Sequence, residues 1–456
     1  MGISNGVKEI IKKFIPAFLL SWYHFGLVFL GAVLYQFPSK KIKVIGVTGT
    51  NGKSTVVELT TKILEEAGYK VASLSSIKFK IRNKEWPNTL KMTMPGRLKL
   101  QKFLREAVNA GCQYAVIEVT SEGIKQHRHQ FIDFDVAVFT NLTPEHIEAH
   151  GGFEKYRQEK GKLFRTTKKI HIVNSDDKNA QYFLNFPADK KYLYKIKNQK
   201  SKANYRERFS VIEAEDVQVL PSGLKFSLNN TKFNLKLLGE FNVYNALAAV
   251  CIGVSQEINL ETCKKALEKV EGIPGRMEEV ISHPFKVFVD YAFTPNALEK
   301  VYQTLTHQPI NLSTNKLICV LGACGGGRDK WKRPVLGEIA AKYCDEVIIT
   351  NEDPYNEDPI DIIDQVAQGA EKISIHQFTP TPNFGVGASQ HKSAVHKILD
   401  RRKAIRKSLE LANSNDVVVI TGKGSEPWVC VAKGKKIPWD DRKIVREEFH
   451  ELKTKS

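Results

Sequence analysis

The chain is 456 residues long, with 42% hydrophobic and 26% charged residues. This excludes a fibre or a disordered chain and points to two or three globular domains. Lys and Arg number 68 against 50 Asp and Glu, and the resulting +18 favours anionic partners: nucleotides, phosphorylated metabolites or an acidic membrane face. The basic residues are dispersed with no aromatic-interleaved patch, which argues against a nucleic-acid protein.

The first predicted element is apolar. Phe14–Phe37 contains no Asp, Glu, Lys or Arg, and Lys8, Lys12 and Lys13 flank it on one side, Lys40, Lys41 and Lys43 on the other. A bilayer span needs about 20 apolar residues, so the length suffices. Trp22, Tyr23 and His24 sit near its middle, and no small-residue cleavage site marks a signal peptide. Three readings stay open: a helix packed on the protein body, a membrane-surface or re-entrant anchor, and a span.

Lys41–Thr48 then reads as a buried strand and Ser54–Ala67 as a helix closed by Gly68. Val71–Ser75, Tyr114–Val119 and Val136–Thr140 repeat the strand signal with helical stretches between them, which predicts a doubly wound parallel sheet. Residues 190–240 alternate, as in Leu224–Leu228 and Phe233–Leu238, and predict an antiparallel addition before a helix at Asn242–Gly253. After Pro274-Gly275 a second α/β series is expected, with strands at Lys286–Asp290, Lys316–Leu321, Glu346–Thr350 and Asp416–Thr421 and a loop at Gln377–Gly387. The predicted organisation is an α/β chain: an apolar N-terminal helical segment (1–40), a central P-loop-type domain (41–274) and a Rossmann-like C-terminal domain (275–456). Seven Cys without a CxxC pair argue against a disulfide or zinc scaffold and for a reducing cytoplasm.

The segment GVTGTNGKST, Gly46–Thr55, falls at a strand-to-helix junction, where small residues let backbone N–H groups approach phosphate oxygens. Gly49, Thr50, Asn51 and Gly52 form its turn. Lys53 is placed to reach terminal phosphates, and Ser54 or Thr55 to offer a hydroxyl to Mg²⁺. The strict Gly-x4-Gly-Lys spacing needs glycine at 47, where the chain has Val47, so this is a variant loop. Glu118, at a strand's C-terminal end, suits a hard cation that prefers oxygen ligands.

GTNGKST after a strand resembles the Mur ligase family, the ATP-dependent amide-forming enzymes of peptidoglycan synthesis. The likeness continues in order through EVTSEGIKQHR (Glu118–Arg128), FTNLTPEHIEAHG (Phe139–Gly151), GEFNVYNALAA (Gly239–Ala249), PGRME (Pro274–Glu278), DYAFTPNAL (Asp290–Leu298), GGRDKWKRP (Gly326–Pro334) and GKGSE (Gly422–Glu426). The combination is most similar to the family's tripeptide-synthetase (MurE-like) branch.

The resemblance implies ATP and Mg²⁺ and an acyl phosphate formed on a muramoyl-peptide carboxylate, which an amino acid then attacks. It implies metal roles for Ser54, Glu118, His146 and a carbamylated Lys160, and nucleotide contacts for Asn245, Arg276 and Asp290, the last two reaching in on domain closure. It implies acceptor contacts for Thr93, Met94, Thr120, Gln126 and Arg128. Arg328, Gly422 and Glu426 are implied at the amino-acid end. The chain departs from the family pattern at Phe293 and Ser425, where the family has His, at Glu145 for Asp and at Met94 for Thr.

Tyr355 replaces the arginine of the family's DNPR motif, which grips the second carboxylate of diaminopimelate. Beside it, Glu352 and Asp353 suit an ammonium at a pocket rim, so lysine is expected over diaminopimelate. The family's first, UDP-holding domain is expected to be absent or replaced by the apolar helix. Both a UDP-linked and a lipid-linked acceptor are open, and membrane contact through residues 14–37 would place the protein at the inner face of the membrane. The alternatives are a folylpolyglutamate- or cyanophycin-type ligase, and a non-catalytic nucleotide-binding scaffold.

Overall fold

The computed structural model describes residues 17–90, 92–197, 209–306, 316–376 and 393–455. Lys8, Lys12, Lys13, residues 14–16 and the loop expected at 377–387 lie outside the described residues. The chain divides into two units, one comprising Met1–Pro144 and His150–Glu271, the other Gly272–Ser456 together with the short segment Glu145–Ala149.

The first unit is built on a sheet of eleven strands among the described residues. They are β1 (Lys43–Thr48), β2 (Val71–Leu74), β3 (Lys78–Ile81), β4 (Lys84–Pro87), β5 (Tyr114–Glu118), β6 (Phe134–Phe139), β7 (Ile170–Asn174), β8 (Lys190–Ile196), β9 (Ser210–Leu220), β10 (Gly223–Leu228) and β11 (Thr231–Leu235). Their order is β11-β10-β9-β8-β7-β6-β1-β5-β2-β3-β4. β1 pairs in parallel with both β5 and β6, so the chain builds one side of the sheet from β1 and then crosses to the other. Ligands of such sheets bind where the strand order reverses, outside the strands' C-terminal ends. In β1 every residue after Lys43 is buried, as expected of a parallel strand covered on both faces. The core gathers Val44, Ala72, Ile117, Phe139, Leu163 and Phe183, with the last of these stacked on Phe139 at 3.9 Å between centroids.

The antiparallel addition begins later than its composition suggests. β8 continues the parallel sheet beside β7, and β9 lies parallel to β8; within residues 190–240 the antiparallel pairings are those of β9, β10 and β11. Alternation reports one solvated face, which a parallel-paired strand inside the sheet can also have, as β9 does.

The apolar helix runs over Ala17–Leu34. It packs on the helix Arg97–Asn109, burying Val28 and Ala32 one turn apart. Phe25 and Phe29 both meet Phe131, and the Ser21 hydroxyl lies 2.7 Å from His127 Nε2. The Arg105 guanidinium donates to the Tyr35 carbonyl at 2.7 and 2.9 Å, fixing the helix's exit. No helix among the described residues is long and apolar enough to cross a membrane. The spanning reading is therefore corrected: this helix interrupts its apolar surface with Ser21 and His24, which anchor it to the body.

The second unit carries the sheet β12-β13-β17-β14-β15-β16, from β12 (Glu278–Ile281), β13 (Lys286–Val289), β14 (Leu317–Leu321), β15 (Glu346–Thr350), β16 (Ala394–Ile398) and β17 (Val417–Ile420). Only β12 is antiparallel. Val287, Val289, Ile318, Val320, Ile348 and Val418 fill its core, and the C-terminal ends of these strands carry Asp290, Glu352 and Gly422.

Candidate functional site

At the end of β1 the chain turns through Gly49 and Gly52 into the helix Lys53–Glu66. Gly52 has φ +84°, and a Cβ there would stand 2.3 Å from Asn245 Oδ1. That approach needs glycine. The loop is tied down from β6: the Thr50 amide donates to the Asn141 carbonyl at 2.8 Å and the Asn51 amide to Asn141 Oδ1 at 2.9 Å. Asn245 is itself held by Asn242 Oδ1 at 2.8 Å.

Lys53, Ser54 and Glu118 come together here. The Ser54 hydroxyl donates to Glu118 Oε2 at 2.7 Å, and Lys53 Nζ stands 3.8 Å from Glu118 Oε1. Lys53 Nζ also donates to its own loop at the Thr50 carbonyl, 2.8 Å away. Ser76, which the sequence did not single out, completes the group: its amide donates to Glu118 Oε2 at 2.9 Å and its hydroxyl lies 2.8 Å from that of Ser54.

Lys160 is fully enclosed and donates to the Gly49 carbonyl at 2.7 Å, with the Tyr156 ring 4.7 Å from its nitrogen. Burial, reinforced by Lys53, pushes its pKa well below that of an ordinary lysine. Among the described residues no group of three or more His, Cys, Asp or Glu is placed to hold a metal alone. A hydroxyl and one carboxylate beside a phosphate-sized loop fit Mg²⁺, which takes few protein oxygens and keeps phosphates and waters as its other ligands.

The residues expected at the acceptor also converge. Arg128 reaches the Met94 carbonyl through Nη1 and Gln126 Oε1 at 2.7 Å through Nη2. Thr120 caps the short helix Ser121–Lys125 by accepting from the Gly123 amide at 3.1 Å, and Met94 is fully buried with its sulfur against Gly123. Thr93 follows Met92 on this loop, and its carbonyl lies 3.4 Å from Asn88 Nδ2.

In the second unit, His146 takes a positive φ of 57°, with Arg328 Nη1 3.4 Å from its Nδ1. The segment carrying it is fixed by GGRDKWKRP: Asp329 accepts from the Ile147 and Glu148 amides at 3.0 and 2.9 Å, and buried Lys332 pairs with Glu145 at 2.9 Å. Lys332 also faces the Phe293 ring at 5.0 Å. Asp290 accepts from the Met277 and Ala292 amides at 2.7 and 2.6 Å; burial pushes its pKa up while Arg276 opposes that shift. Arg276 stacks on Tyr291, whose hydroxyl donates to Glu426 at 2.8 Å.

Glu352 and Asp353 are not rim acids. Their exposures are 2% and 5%, and Asp353 is spoken for by Lys423 at 2.9 and 3.0 Å and the Cys430 amide at 2.7 Å. Lys423 also donates to Glu426 at 2.6 Å; burial works against its charge, but Glu426 and Asp353 raise its pKa. The lysine inside GKGSE was legible as a charge, but its partner Asp353 lies 70 residues away. Glu352 accepts from the Cys324 thiol at 2.9 Å, and its second oxygen is buried with no hydrogen-bond partner. Gly422 is required there, since a Cβ would stand 2.4 Å from that oxygen. Tyr355 packs its ring over Gly326 and donates its amide to the Cys430 carbonyl at 3.1 Å.

Residues 47–253 match the family model for the Mur ligase middle domain, and residues 275–424 that for the Mur ligase glutamate ligase domain. The UDP-N-acetylmuramoyl-L-alanyl-D-glutamate–2,6-diaminopimelate ligase of Syntrophomonas wolfei is 37% identical over 430 residues, covering 92% of this chain and 81% of its own. The UDP-N-acetylmuramyl-tripeptide synthetase of a Roseiflexus species is 35% identical, over 96% and 84% of the two chains. A solved diaminopimelate ligase superposes with a TM-score of 0.57 at 28% identity over 90% of this chain and 79% of that one. Folylpolyglutamate synthase of Mycobacterium tuberculosis, with ADP and AMPPCP, shares the fold at a TM-score of 0.66 and 17% identity over 87% and 92%.

Proposed function

This chain belongs to the Mur ligase family, and from that premise we propose that it joins an amino acid to a muramoyl-peptide acceptor through an acyl phosphate. It is an ATP-dependent, amide-forming ligase of cell-wall peptide synthesis, and the reaction uses ATP with Mg²⁺. The convergence of Lys53, Ser54 and Glu118 on the loop at the end of β1 carries this reading.

Lys53 supplies the cation that steadies the transferring phosphoryl group, and the loop amides around Gly49–Gly52 hold its oxygens. Mg²⁺, when bound, shields phosphate charge, and Ser54 and Glu118 are the oxygen donors suited to hold it. Asn245, whose side chain lies against Gly52, borders the nucleotide. Lys160 is assigned to carbamylation, and His146, Arg276 and Asp290 to the roles that their motifs imply. Thr93, Met94, Thr120, Gln126 and Arg128 hold the acceptor, with the planar Arg128 fork suited to an oxyanion. The test is phosphate release with UDP-linked, lipid-linked and free muramoyl-dipeptides, each crossed with lysine, diaminopimelate and ornithine. Release that requires both an acceptor and an amino acid is expected. Release with folate-type acceptors alone, or none with any pair, would overturn the reading.

For the amino acid, we assign L-lysine over diaminopimelate. Tyr355 cannot form a bidentate cationic contact, and leaving a second carboxylate unpaired costs about 1–3 kcal/mol. The unpartnered oxygen of Glu352 suits an ammonium instead. L-Lysine should exceed diaminopimelate by at least about tenfold in kcat/KM, and Tyr355→Arg should shift preference towards diaminopimelate. Equal use of both amino acids by the native chain sinks the assignment.

We also propose that the protein works in the cytoplasm with the helix Ala17–Leu34 resting on an anionic bilayer surface. Of the fourteen large hydrophobic residues exposed among those described, eight lie on this helix, including Trp22 at 72% and Leu34 at 62%. Trp and Tyr favour the bilayer interface, and exposed Lys40, Lys41 and Lys99 lie at the end of this helix and on the neighbouring one. Full-length protein should float with vesicles containing phosphatidylglycerol, and Trp22→Ser/Leu34→Ser should remain at the bottom of the gradient. Equal flotation of both proteins, or of neither, removes the surface reading.

A further inference from the structure

Arg97 and Arg128 lie side by side with no acid between them. Both guanidinium groups donate to one neutral oxygen, Gln126 Oε1, at 3.3 and 2.7 Å. Among the described residues neither forms an ion pair with a carboxylate, and the Nε of each is buried without an acceptor. Burial, then Arg97, lowers the pKa of Arg128 to about 10, and burial lowers that of Arg97. Glu122 is the acid that raises Arg128, and it stands 3.6 Å from His150.

Two desolvated cations sharing an amide oxygen are costly unless an anion completes the group. Arg97 also opens the helix Arg97–Asn109, whose first turn has no acidic residue and presents its positive end at the same point. The guanidinium of Arg97 is held from its other side by His24 Nδ1 of the apolar helix. A guanidinium can only donate, so His24 accepts at Nδ1 and carries its proton on Nε2.

We propose that Arg97 and Arg128 form a two-arginine site for an oxyanion of the acceptor, and that His24, brought by the helix Ala17–Leu34, is a positioning residue for Arg97. The assignment rests on the acceptor reading above and adds Arg97 and His24 to it. The shared chemistry is a planar or tetrahedral oxyanion, met by two forks that together present paired N–H donors. Its source is either a peptide carboxylate or the diphosphate of a carrier.

The experiment is steady-state kinetics of the full chain with UDP-N-acetylmuramoyl-L-alanyl-D-glutamate, for native protein, Arg97→Gln, Arg97→Lys and His24→Ala. Arg97→Gln is expected to raise the acceptor KM at least tenfold, with the KM for ATP and kcat within twofold of native. Arg97→Lys should recover part of the loss, and His24→Ala should show a smaller rise of the same kind. Acceptor KM unchanged within twofold in Arg97→Gln, or acceptor and ATP KM rising together, would overturn the site.

The source is read by calorimetry with UDP-N-acetylmuramate, which lacks the peptide carboxylates, and with N-acetylmuramoyl-L-alanyl-D-glutamate, which lacks phosphate. The ligand whose affinity falls in Arg97→Gln contains the oxyanion, and no fall for either counts against the site. A second arm does not depend on turnover: inorganic pyrophosphate is titrated into the full chain saturated with ADP. Binding by native protein that Arg97→Gln abolishes supports the site even if no muramoyl-peptide is turned over. The absence of pyrophosphate binding in both proteins counts against it.

Discussion

Lys53→Ala is expected to lower phosphate release about a thousandfold while the protein stays folded. A positioned cation on a transferring phosphoryl group is worth several kcal/mol, and about 4 kcal/mol corresponds to three decades in rate. The fold should survive because Glu118 keeps the Ser54 hydroxyl and the Ser76 amide as partners, and alanine is a good first residue for the helix Lys53–Glu66. Phosphate release and a thermal melt on the same preparation decide it. Retention of more than about a tenth of native activity would remove this loop from the chemistry.

Lys160→Ala should also abolish turnover, by about two decades or more, with partial rescue by short carboxylic acids. The enclosed amine donates to the Gly49 carbonyl, so truncation loosens the loop as well as removing the nitrogen. Its lowered pKa shifts the amine towards the neutral form, and only the neutral form can attack CO₂ to give a carbamate and a proton. Protein equilibrated with ¹³C-labelled CO₂ should show a carbamate resonance that Lys160→Ala lacks. Rescue by acetate separates a missing anion from a disturbed loop. A native protein with no such resonance under turnover conditions would leave Lys160 as a structural donor only.

The strands of both sheets were legible because a parallel strand covered on two faces is a short apolar run between glycine-bearing turns: β1, β5 and β14 sit within two residues of their expected bounds. The hairpin β3–β4, with KFKI and KEWP, was not singled out, because its lysines and glutamate break the apolar run by which the other strands are recognised. Those charges stay in a strand because Lys78 and Lys80 both pair with Glu85 across the hairpin at 2.7 and 2.6 Å. The phosphate loop was readable from the ten consecutive residues Gly46–Thr55, since its function depends on local backbone freedom.

By itself, the sequence determined which residues are short-range machinery: Gly49, Gly52, Lys53 and Ser54 in one loop, Gln126 and Arg128 in one turn, and an uncharged segment able to form a helix. Only the tertiary structure decided which charges are already neutralised. Asp353 is occupied by Lys423, 70 residues away, whereas Glu352 beside it keeps an unpartnered oxygen, and Arg97 and Arg128 meet with no acid between them. The apolar helix likewise became an element docked through Ser21, His24 and Val28 only when Arg97 and His127 were brought to it. The reason is range. Backbone conformation and apolar periodicity are fixed by neighbours in the chain, whereas the cost of a buried charge depends on which distant side chain the fold sets within about 4 Å of it.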